Sequence, residues 1–118
     1  MMDVQREQLP DSYLLIIAPD FDPNDQHKLA RGLHRASRSE KRLICVDCSL
    51  LTELPEDAVD LLLAYDFTLR CQQRQLVLCH LPEAAAARFA QLPAEEAPLV
   101  VPSLLDAHRL LLPTGKPQ

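Results

Sequence analysis

Residues 13–18 read Tyr-Leu-Leu-Ile-Ile-Ala, an unbroken apolar run that suits a strand covered on both faces. Leu9-Pro10-Asp11-Ser12 before it is turn chemistry, so residues 1–12 are either a weakly ordered start or hold a short first strand, residues 3–8, of a hairpin. Asp22-Pro23-Asn24-Asp25 then signals a helix: Asp22 caps it, Pro23 suits the first helical position and Asp25 complements the dipole. That helix runs to about Ser37, with Leu29, Leu33 and Ala36 on one stripe and Lys28, Arg31, Arg35 and Arg38 on another.

The pattern repeats along the chain. Residues 43–48 predict a strand, and a helix from Pro55 to about Arg70 follows with Val59, Leu62, Leu63 and Phe67 as its inward stripe and Asp60 and Asp66 outside it. Residues 75–79 predict a strand, and an Ala-rich helix from Leu81-Pro82-Glu83 ends near Leu92. Residues 99–101 form a short last strand. Ser103-Leu104-Leu105-Asp106 opens a final helix with a capping-box-like pattern, turning Leu104, Ala107, Leu110 and Leu111 inward, and residues 113–118 are a tail. Strands alternating with helices imply an α/β fold: a mixed, mainly parallel sheet of four to five strands packed with about four helices through right-handed crossovers.

Composition bounds this picture. A chain of 118 residues fits a single domain over 1–118, and with no Trp its core must come from Leu, Val, Ile and Ala. The formal net charge of −5 argues against a nucleic-acid binder, although Lys28, Arg31, Arg35 and Arg38 make one concentrated basic face. No apolar signal region opens the sequence and no run approaches the roughly 18 apolar residues of a membrane span, so a cytoplasmic protein without direct membrane insertion is expected. Cys45, Cys48, Cys71 and Cys79 fall on strands or at a helix end and read as small apolar residues; Cys45-Val46-Asp47-Cys48 has metal-site spacing, but a strand sends residues three apart to opposite faces.

Residues 43–59 carry the most specific signal: Leu43-Ile44-Cys45-Val46-Asp47, a turn through Cys48, Ser49, Thr52 and Leu54, then Pro55-Glu56-Asp57-Ala58-Val59. This stretch resembles the centre of the STAS family, the anti-sigma factor antagonists and related domains of anion transporters and lipid-transport complexes. There a hydrophobic strand ends in Asp, a Ser follows, and Asp-Ser-Ser/Thr-Gly-Leu starts a helix. Asp47, Ser49 and Thr52 match the strand end and connection, and Pro55-Glu56-Asp57-Ala58 occupies the place of Asp-Ser-Ser-Gly. Ala18-Pro19-Asp20-Phe21-Asp22 resembles the segment before the family's first helix and Cys79-His80-Leu81-Pro82-Glu83 its turn before the third, so the likeness spans nearly the whole chain.

The resemblance implies a non-enzymatic bacterial module of signal transduction and transcription regulation that works by protein–protein contact, without a cofactor or metal. Its partner-binding surface would comprise Asp22, Asn24, Ser49, Leu54, Glu56, Asp57 and Asp60, and its partner an anti-sigma factor or kinase-like regulator. Glu56 stands at the phosphoacceptor position and has no hydroxyl to receive phosphate. Glu56 and Asp57 together carry about two negative charges, comparable to the roughly −1.5 to −2 of a phosphoserine, but the same acids are also what any helix start favours. Ser49 and Thr52 are nearby hydroxyls with ordinary turn roles.

Other classes fit less of the sequence. An enzyme lacks support, since Gly32 and Gly115 form no phosphate loop and His27, His34, His80 and His108 are scattered. Asp20, Asp22 and Asp47 at strand ends suggest a receiver-like phosphoacceptor domain, but Asp47 comes one unit early and no Lys lies near Val101. The same fold would also serve as an accessory subunit of a membrane transport complex, its basic face meeting an acidic partner or anionic headgroups, or as a homodimer through an open sheet edge.

Overall fold

The computed structural model describes residues 2–19 and 27–109. Strand β1 (Met2–Gln8) and strand β2 (Ser12–Pro19) form the expected hairpin, paired antiparallel from Met2 opposite Pro19 to Gln8 opposite Tyr13. Strand β3 (Leu43–Asp47), strand β4 (Gln75–Cys79) and strand β5 (Leu99–Val101) add in parallel, giving the order β1-β2-β3-β4-β5. Helices α1 (Lys28–Arg38), α2 (Glu56–Cys71) and α3 (Glu83–Ala90) connect successive parallel strands, and α4 (Leu104–Arg109) follows the last. The predicted start of the first helix at Asp22-Pro23 lies outside the described residues; the described helix begins at Lys28, after His27.

The order explains the layers. Each right-handed crossover steps one strand in the same direction, which places α1, α2 and α3 on one face of the sheet and, among the described residues, leaves the other to α4. Side chains alternate accordingly. Tyr13, Leu15, Ile17, Ile44, Val46, Leu76 and Leu78 join the three-helix core, whereas Leu14, Leu43, Cys45 and Val77 pack with Ala107 on the α4 side. Because the strand order never reverses, the sheet has no switch-point crevice of the kind that holds ligands in doubly wound folds. A receiver domain has the order 2-1-3-4-5, so this sheet removes the receiver-like reading.

Helix α2 corrects the sequence reading by a rotation. Its buried residues are Ala58, Val59, Leu62, Asp66 and Leu69, while Phe67 is 67% exposed and Leu63 only half-buried. Asp66, expected outside, is fully buried, with Arg70 Nη2 2.6 Å from its Oδ2. Pro55 is the N-cap rather than the first helical residue. The close approach of α1 to the sheet depends on Gly32, where a Cβ would stand 3.1 Å from Val4 Cγ1 and 3.4 Å from Leu15 Cδ2.

Candidate functional site

Strand β3 ends at Asp47, whose Oδ1 accepts a hydrogen bond from the Ser49 backbone N–H at 3.0 Å, an Asx turn that leads the chain out of the sheet. The Cys48 N–H donates to the Cys79 carbonyl at 3.0 Å, fastening the turn to β4, and the Leu51 N–H donates to the Cys48 carbonyl at 3.0 Å, closing a β-turn. Leu54 is 6% exposed and plugs into the three-helix core. These anchors, apolar below and hydrogen-bonded above, set where α2 begins.

Pro55 supplies no side-chain cap; its extended backbone (φ −62°, ψ 156°) delivers Glu56 and Asp57 into the first turn, where their charge meets the positive end of the dipole. Glu56 Oε1 lies 3.3 Å from Arg88 Nη2 on α3, with the two side chains 84% and 40% exposed. The contact steers Glu56 towards α3 but binds weakly in water. Ser49, Leu50, Thr52, Glu53, Asp57 and Asp60 are exposed on the same loop and helix start. The result is an acidic surface with one exposed leucine, able to bind by charge and shape.

The structure therefore brings Ser49, Glu56, Asp57 and Asp60 together and exposes them. It corrects Leu54, which is an internal anchor and not a contact residue. Asp22 and Asn24 lie outside the described residues. Leu50 and Glu53, which carry no motif of their own, are exposed with Ser49 between the strand end and the helix start. Of the expected basic face, Lys28, Arg31 and Arg35 line a groove with Arg6 of β1, and Arg38 lies beyond it in the last turn of α1.

Burial drives the thiols of the adjoining strands away from reactivity: Cys45 is pushed up to about 11 and Cys48 and Cys79 to about 12, the last two also by neighbouring negative charge. Cys45 and Cys48 face opposite layers, as strand alternation requires, and among the described residues no cluster of His, Cys, Asp and Glu is arranged to hold a metal. No described helix is long and apolar enough to cross a membrane.

Among solved structures, the chain resembles RsbS of Moorella thermoacetica, determined as a serine-to-glutamate variant, with a TM-score of 0.73 at 16% identity over 92% of this chain and 93% of that one. The chain has a STAS-like fold. An NMR structure of the protein TM1081 shares that fold, with a TM-score of 0.71 at 8% identity over 88% of this chain and 84% of that one. No family model and no curated protein matches the sequence. The STAS-like architecture is thus carried by the layered pattern of apolar residues, with few identical side chains behind it.

Proposed function

We propose that this chain is a non-enzymatic, STAS-like interaction module that acts in the manner of an anti-sigma factor antagonist and is not switched by phosphate at the usual position. The observation that carries the reading is Glu56: it opens α2, is 84% exposed, and occupies the position that the family resemblance gives to the phosphoacceptor serine. The RsbS structure that shares the fold was determined with a glutamate in place of one serine. Ser49, Leu50, Asp57 and Asp60 complete the contact face. A permanently acidic helix start holds one binding state, where a phosphoserine cycle would alternate between two.

Affinity capture of the tagged protein from its native cells, followed by mass spectrometry, tests this. A kinase-fold regulator should be recovered, should be lost with Glu56→Arg, and should come without phosphate on Ser49 or Thr52. Recovery of permease and ATPase subunits instead would move the assignment to a transport accessory role. Phosphorylated Ser49 or Thr52 would overturn the unswitched state.

A further inference from the structure

The flank of α1 that faces β1 holds a groove of about 200 Å³ lined by Val4, Arg6, Lys28, Arg31, Gly32 and Arg35. Four cations around one small cavity run against the charge of the whole chain, which is −5. Three come from successive turns of α1, spanning about 10 Å at about 1.5 Å per residue. The fourth, Arg6, is brought in by the hairpin: strand alternation turns Arg6 to the side of Val4, which touches Gly32, and sends Gln5 and Glu7 to the other. Arg6 and Arg35 are exposed and neither pairs with a carboxylate among the described residues.

We infer that this groove binds phosphate groups. Guanidinium forks from two elements converge on it, and such forks match phosphate oxygens in paired hydrogen bonds. Its volume lies below the roughly 300–1,000 Å³ of pockets that enclose a whole small molecule, so it takes a compact, multiply charged head and leaves the rest of any ligand in solvent. The phosphate source is either a soluble polyphosphate or a lipid headgroup. This site is separate from the acidic start of α2, and its test does not depend on the partner found there.

Titration of the isotope-labelled full chain with sodium tripolyphosphate, followed by NMR, should give saturable shifts at the amides of Arg6, Gly32 and Arg35 that weaken as salt rises. The double variant Arg6→Gln/Arg35→Gln should bind at least about tenfold more weakly, since each guanidinium forms charge-assisted bonds, while Arg38→Gln, outside the groove, should bind as the parent does. Absence of saturable shifts, or equal weakening by Arg38→Gln, overturns the site. Cosedimentation with phosphatidylcholine vesicles, with and without phosphatidylinositol bisphosphate, separates the sources. Capture only by the phosphoinositide vesicles, lost in the double variant, supports a headgroup; tripolyphosphate binding without capture supports a soluble ligand; capture without tripolyphosphate binding overturns the proposal.

Discussion

Asp66 is a fully buried carboxylate on α2, and burial pushes its carboxyl above the ordinary carboxylate range, against the opposing pull of the Arg70 guanidinium. Its Oδ1 has no hydrogen-bond partner, and Arg70 Nη2 approaches Oδ2 at 2.6 Å outside good hydrogen-bond geometry, so the charge is only partly compensated. The folded state therefore holds a proton here more readily than the unfolded chain does. The stability Asp66 contributes is fully present below its unfolded value of about 4 and is lost as pH rises through the folded one. Asp66→Asn does not titrate, so urea midpoints compared at pH 4 and pH 7 should shift in the variant's favour at the higher pH; a shift the other way would show that Arg70 outweighs burial. Glu56→Arg, by contrast, changes an exposed contact and should lower stability only by about 0.3–1 kcal/mol, through the helix dipole and Arg88, while abolishing partner capture. At this scale the candidate site is partly legible in sequence. Pro55-Glu56-Asp57 announces a helix start by residue type, but Leu50, Leu51 and Leu54 lie in a loop without periodicity, and only packing decides that Leu54 goes inside and Leu50 stays 57% exposed.

Helix α2 ends in a Schellman motif: the Gln73 N–H donates to the Arg70 carbonyl at 3.0 Å and the Arg74 N–H to the Leu69 carbonyl at 2.8 Å. Gln73 holds the left-handed position, φ 60°, which glycine adopts without the cost a Cβ imposes. Gln73→Gly should stabilise the protein by about 1 kcal/mol, read as a higher urea midpoint at unchanged slope. The next residue closes a different helix. Arg74 donates from Nη1 to the Ser37 carbonyl at 2.7 Å, from Nη2 to Ala36 at 3.2 Å and from Nε to Lys41 at 2.8 Å, satisfying carbonyls at the end of α1 and in the loop beyond it. Arg74→Ala should cost about 2–3 kcal/mol, and Arg74→Lys should restore less than half because an ammonium cannot reproduce the fork. The elements themselves are legible because β2, β3 and β4 are nearly continuous apolar runs and the helices after β3 and β4 follow Pro55 and Pro82 with an acid in the first turn. Arg74 as the cap of α1 is not, since 37 residues separate it from Ser37. The phase of α2 is misread for another reason: Phe67 outranks Asp66 on any apolar scale, yet Asp66 takes the buried position with Arg70 one turn on to compensate part of its charge.

The described residues are arranged asymmetrically, because strands added one after another in a single direction put three helices on one face and leave the opposite face, among the described residues, to the six of α4. Both outer strands are guarded against pairing with other chains. β5 is three residues long between Pro98 and Pro102, and β1 carries Gln5, Arg6, Glu7 and Gln8 in the open. The thin layer is the weak one. Leu14, Leu43, Cys45 and Val77 are sealed there through Ala107 and Leu104, whereas Cys48 lies in the core beneath the three larger helices. Opening of α4 alone should uncover Cys45 at less than the free energy of global unfolding, and Cys48 should require the global event. Mass-spectrometric labelling of native thiols reads this directly. Exposed Cys71 should react at once, Cys45 more slowly, its thiol held up at about 11 while buried, and Cys48 last. Ala107→Glu places a charge at a fully buried position of α4 and should accelerate Cys45 labelling while Cys48 stays slow. Equal rates for Cys45 and Cys48 in both proteins would mean that the two faces of the sheet open together, and that the short helix is as firmly held as the three-helix layer opposite it.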